Sequence, residues 1–271
     1  MKRDARPFVR FSLSLAAVLL ASACSGTSAG GPRSAAVPGE TSATSPGAPT
    51  PDAEGDDPGD PSGKAGDGTT TPTPAASGPG SGPPVSAADR RAGIESRVVV
   101  DRLSGRLVTV RGDSKAPGPG RVLRIKVQVE SGLPVDGPAF AAFVMDTLGD
   151  PRSWGHDGSR TFARTDGAYD VRVVLASPES SRAMCRPLET LGRLSCRNGD
   201  AVVLTYYRWV NAIPDYGSDR TGYRHYVVNH EIGHSLGRGH VSCPGRGETA
   251  PVMMQQTKGL LGCEPNPWPF P

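Results

Sequence analysis

The sequence predicts an α+β domain preceded by a long segment with no fold of its own. Residues 121–130, "RVLRIKVQVE", alternate polar and apolar, as a strand with one buried face does. Residues 137–150 and 218–237 space their apolar side chains at helical intervals instead. Residues 25–92 are Gly, Pro, Ser, Thr, Ala and Asp with almost no large apolar side chain, too little to offset the entropy of ordering them.

The chain opens with Lys2, Arg3, Arg6 and Arg10, then an apolar run over 11–23 that is too short for a mature membrane span. Residues 1–23 therefore read as a secretory leader. The run ends "ASAC", which resembles a bacterial lipoprotein signal with Cys24 as the lipidated residue. Ala21 stands where such signals usually carry leucine, and ordinary cleavage near "ASA" would instead release the protein. A lipid at Cys24 is the one membrane attachment expected. Residues 25–92 form a solvated tether, and 93–271 one globular domain, expected to be a monomer. The 30 Lys and Arg against 27 Asp and Glu leave a net charge of only +3, scattered without a basic stripe, so nucleic acid is not an expected partner. Besides Cys24 there are Cys185, Cys196, Cys243 and Cys263. Four cysteines allow three pairings; proximity favours Cys185–Cys196 and Cys243–Cys263, a pattern that suits an extracellular protein.

Within the domain, 97–110 reads as a hairpin around Ser104-Gly105. The strand 121–130 follows. A helix over 138–148 places Phe140, Phe143, Val144 and Leu148 on one side, with Pro138 in its first turn. Residues 159–164 and 169–176 read as two strands. Asn198-Gly199 signals a tight turn between a short strand near 191–196 and an apolar one over 201–207. The helix 218–237 starts at Ser218, Asp219 or Thr221 and stops at Gly237. Trp154, Tyr206, Tyr207 and Trp209 read as packing residues. His156 and His225 read as surface residues, and Asp146, Asp150 and Asp170 as residues of turns, caps or exposed faces rather than of a second metal site.

The chemistry sits in "HEIGHSLGRGH", residues 230–240. His230 and His234 are four apart on a helix, so both rings reach one ion. Glu231 lies beside the metal, where a base acting on metal-bound water must be. Gly237 lets the backbone leave the helix, and His240 returns as a third ligand. Three nitrogens leave a fourth zinc position for water, the pattern of catalytic rather than structural zinc.

This stretch resembles the zinc signature H-E-x-x-H-x-x-G-x-x-H of the metzincin clan of metallopeptidases. "APVMMQQ", 250–256, looks like the clan's Met-turn, with Met253 as the turn residue and Met254 the alternative. Together with "DPRSW" and "NPWP" the pattern is similar to an actinobacterial family of secreted, metzincin-like domains of unknown function. The resemblance implies a twisted, mainly parallel sheet with one antiparallel edge strand, a backing helix at 138–148 and an active-site helix. It implies a zinc-dependent endopeptidase with Glu231 as general base, whose protein or peptide substrate lies along the edge strand near 191–196. Two departures stand out. Gln255 (or Gln256) occupies the place where some members have an oxyanion-assisting tyrosine, and Val241 follows the third histidine. A cell-wall peptide amidase and a non-catalytic zinc-containing binding domain are the competing readings.

Overall fold

The computed structural model describes residues 82–271. The leader, Cys24 and residues 25–81 of the tether lie outside the described residues. The domain begins earlier than residue 93. Residues 82–92, expected from composition to end the tether, carry helix α1 (Ala87–Arg91). Ser86 caps it by accepting from Asp89 N, while Asp89 accepts from Ser86 N, a reciprocal capping box. What fixes this short helix is tertiary: the buried Asp89 side chain meets Arg224 at 2.6 Å, 135 residues away.

The sheet has six strands: β1 (Leu107–Thr109), β2 (Arg121–Glu130), β3 (Arg160–Arg164), β4 (Val171–Ala176), β5 (Cys196–Asn198) and β6 (Ala201–Thr205). The path runs β1-β2-β4-β6-β5, with β3 also paired to β2. β2 pairs in parallel with β3 and β4, and β4 with β6; the antiparallel pairs are β1/β2 and β5/β6. This is an α+β fold on a mixed, mostly parallel open sheet. β2 buries Leu123, Ile125, Val127 and Val129, its period-two apolar set. β6 is buried at every residue, as befits a strand covered on both faces.

Helix α2 (Gly137–Gly149) packs on the sheet and on α5 (Arg220–Ser235). Asp136 caps α2 by accepting from Ala139 N at 3.0 Å, and Asp219 caps α5 by accepting from Gly222 N at 2.8 Å. Phe140 and Phe143 meet the Trp209 ring edge-on, at 5.1 and 5.5 Å between centroids. Helix α3 (Pro178–Met184) precedes the first disulfide.

Several sequence readings are corrected. The hairpin over 97–110 does not form: only Leu107–Thr109 is a strand, and it pairs with β2 rather than with the preceding valines. The segment near 191–196 is a turn, and the edge strand is Cys196–Asn198, because Gly192 turns the chain against Pro178 and Thr205 Oγ1 donates to Gly192 O. The two-residue turn is Gly199-Asp200, with Asn198 still paired to Ala201; Gly199 takes the positive φ of 61° that the turn needs. Tyr206 and Tyr207 leave the strand for a helix, α4 (Tyr206–Asn211), which puts Tyr206 and Trp209 in the core. His225 is not a surface residue: its Nδ1 lies 2.8 Å from Thr147 Oγ1 and its ring stacks on Phe143.

Both proximity pairings are formed as disulfides, Cys185–Cys196 and Cys243–Cys263. They point to an oxidising environment. Among the described residues no helix is long and apolar enough to cross a membrane.

Candidate metal centre

Helix α5 has two faces turned inward. One carries Val228 and Ile232 into the core under the sheet. The other carries His230 and, one turn on, His234. A Cβ at Gly233 would run into Met253 Sδ and come within 2.8 Å of the Trp154 ring, so the small residue lets the 250–254 turn lie against the helix. That turn then supplies a partner for the first histidine: His230 Nδ1–H donates to Val252 O at 2.8 Å. After Gly237, at φ 80°, the chain turns back and Arg238 N donates to Gly233 O. Arg238 O in turn accepts from His234 Nδ1–H at 2.8 Å. Both helical rings are thus held at Nδ1 by a backbone carbonyl, which leaves Nε2 of each as the nitrogen available to a ligand.

His240 arrives at the same point from the loop. His234 Nε2 and His240 Nε2 are 3.0 Å apart, and one ligand nitrogen from each of the three histidines lies within 4.8 Å of the others. This triple-histidine group could hold a metal ion. Burial drives the His230 pKa down to about 3, so that ring is neutral and free to ligate.

Glu231 is 5% exposed. Among the described residues no hydrogen bond reaches its carboxyl. Burial alone pushes its pKa up to about 8. A buried carboxyl with no partner costs stability, and such groups gather at functional sites. Glu231 faces two adjoining cavities. One, of 290 Å³, is lined by the three histidines, Ser195, Arg197 and Gln255; the other, of 150 Å³, by His230, Tyr226, Leu194, Thr257 and Lys258. A larger cavity, of 710 Å³, lies against Trp154, Val241, Met253, Trp268 and Phe270, and neither the histidines nor Glu231 line it.

The remaining residues separate clearly. Of the two methionines, Met253 packs against Gly233 of the histidine helix, while Met254 packs with Ala250, Leu260 and Cys263 and its carbonyl accepts from Tyr226 OH. Gln255 lines both cavities. Gln256 is committed to the core, accepting from Tyr216 OH at 2.7 Å and donating to Asn266 O. Asp150 caps the end of α2 and pairs with Arg152, and Asp170 accepts from Arg124 N. Asp146, on α2, lines a surface cavity with Lys115 and Met145, away from the histidines. His156 is exposed under Phe270.

The sequence reading missed Arg224, which is fully buried six residues before His230. Its Nε donates to Trp209 O at 2.7 Å, and its guanidinium pairs with Asp89. A charged residue inside an apolar helical stripe was the available signal. No curated protein and no solved structure matches the chain. Residues 98–262, more than half of the chain, match the family model "Protein of unknown function (DUF3152)", and the chain belongs to that family.

Proposed function

We propose that this protein is a metzincin-like zinc-dependent endopeptidase, exported and either released or held at the cell surface through Cys24. The observation that carries this reading is the buried carboxyl of Glu231, without a hydrogen-bond partner among the described residues and set next to a three-imidazole cluster in a cleft bordered by the sheet's last strand. A binding module has no use for such a carboxyl; a hydrolase does.

The donor set fits zinc. Imidazole nitrogens are preferred zinc ligands, and two of them bonded at about 2.0–2.1 Å to one tetrahedral zinc stand roughly 3.3 Å apart. The 3.0 Å between His234 and His240 is close to that. When bound, zinc supplies Lewis-acid chemistry, making water nucleophilic near neutral pH and polarising a carbonyl.

The chain's own residues do the rest. His230 and His234 are oriented by their bonds to Val252 O and Arg238 O. Met253 gives the rings an apolar floor. A cation held by the histidines would favour the ionised form of Glu231; in that form one of its oxygens takes a proton from the attacking water and returns it to the departing amide nitrogen. β5 ends the sheet, and its outer edge offers backbone groups to an extended substrate; Ser195 and Arg197 bring that edge to the cavity of the histidines.

The test uses the purified full chain. Metal content is measured first, then cleavage of mixed protein and wall-fragment substrates by the parent and by Glu231→Gln. The substitution should keep the metal and slow cleavage at least about 100-fold. Equal cleavage by both forms removes Glu231 from the mechanism. Absence of cleavage by either form, across the whole panel, favours a binding domain.

A further inference from the structure

The loop over 186–195, which borders both cavities at Glu231, is unusually well fixed for an exposed segment. The Cys185–Cys196 bond closes its base. Asn198 Nδ2 donates to Met184 O and Arg186 O, Thr205 Oγ1 to Gly192 O, and Arg208 Nε to Arg193 O. Yet this fixed loop presents two leucines to water: Leu188 is 54% exposed and Leu191 74%. Leu191 also sits at φ 52°, a backbone angle that glycine or asparagine takes at lower energy. Leu188 lines both the histidine cavity and its neighbour, and Leu191 follows three residues later on the same fixed loop. The open edge of β5 comes directly after the loop.

We propose that the segment 186–195 is a preformed recognition lip for an extended polypeptide with large apolar side chains, and that Leu188 and Leu191 are its contact residues. Large apolar side chains held exposed at the mouth of a cleft suit a binding surface. The rigidity of the loop removes the ordering entropy that a mobile loop would lose on contact. A wall-type peptide of small and charged residues has nothing to place against two leucines, so the lip selects unfolded or extended protein segments. This inference deepens the peptidase reading and rests on it for the fate of the bound segment, but binding is separable from cleavage.

The experiment uses the full chain carrying Glu231→Gln, and a displayed library of random ten-residue peptides as the probe. Bound peptides should be enriched in Leu, Phe and Met. Against a selected peptide, Leu188→Ser and Leu191→Gly should each weaken binding about fivefold, the effect of losing part of a leucine's apolar contact. Leu191→Gly should melt no lower than its parent, because it relaxes the backbone, so lost binding there is not unfolding. Leu261→Gly is the control: Leu261 is 82% exposed with the same φ of 52° but lies outside the 186–195 loop, and binding should be unchanged. No enrichment of large apolar residues, or unchanged binding in both lip variants, overturns the proposal. Cleavage of the same library by the chain with native Glu231 is scored separately. Leucine-dependent binding without cleavage sinks the peptidase and leaves the lip; cleavage indifferent to the leucines does the reverse.

Discussion

The two ends of the histidine cluster are held by different means. His230 and Glu231 lie on the buried part of α5, seated by contacts that cross the whole domain. His234 is half-buried, and the loop that returns His240 is exposed from Gly237 onward. That loop is tied back by Arg238 N to Gly233 O and by Val241 N to Met253 O. The core therefore sets where Glu231 and His230 stand, whereas the placing of His240 rests on the exposed loop and these backbone bonds. A site built this way keeps the Glu231 carboxyl in a rigid setting and leaves one side free to adjust.

The contact that seats the buried end is the Asp89–Arg224 pair, at 1% and 0% exposure. Removing one partner of such a pair leaves a buried charge uncompensated. Asp89→Asn should lower the unfolding free energy by about 3–5 kcal/mol, measured by urea titration. Replacing both partners together, Asp89→Leu with Arg224→Met, should recover much of that loss. A single-variant loss below about 1 kcal/mol would mean that α1 does not seat α5.

The same pair predicts acid sensitivity. Burial works against the charged Asp89, but hydrogen bonds from Arg224 and Ser86 outweigh it and hold its pKa at about 2, against 3.8 unfolded. With the folded value depressed, the stabilisation is fully present above about pH 4 and disappears as pH falls towards 2. Near neutrality it is worth about 2 kcal/mol. Urea titrations at stepped pH between 2 and 5 should show that slope in the parent and lack it in Asp89→Asn.

Gly233 joins the two ends. Alanine there gains about 1 kcal/mol of helix propensity, yet its methyl meets Met253 Sδ and the Trp154 ring. Overpacking of this kind costs about 1–3 kcal/mol. Gly233→Ala should therefore be destabilising by up to about 2 kcal/mol, and it should weaken metal binding by pushing the 250–254 turn off the helix. Stabilisation with unchanged metal affinity would show that the turn is not what positions His230.

The sequence was legible where one short stretch suffices. The H-E-x-x-H spacing needs only helical geometry, and β2 announces itself by alternation. Both disulfides join near neighbours in sequence. What escaped depends on distant partners. Asp89 in "AADRR" looks like tether until Arg224 is placed beside it. Tyr206 and Tyr207 favour strands, but Tyr206 OH donates to Ser96 O and Trp209 Nε1 to Ala92 O, and these bonds require a helix. His225 looked exposed because nothing local reveals Phe143, Thr147 and Trp268 around it. Periodicity identified strands but could not give their order, so the parallel pairing came only from a resemblance.

The finest division between the two ends concerns the histidines themselves, compared with a chelator present so that no ion contributes. His230→Ala strands the buried Val252 carbonyl and should cost about 1–3 kcal/mol. His240→Ala removes an exposed side chain and should change stability by no more than about 0.5 kcal/mol. Thermal melts of the two variants under chelation measure that difference directly. Added metal should stabilise the parent and neither variant, since each lacks one nitrogen of the set. Equal losses under chelation would mean that the loop end is as firmly built as the core end, and that the third ligand needs no ion to hold it in place.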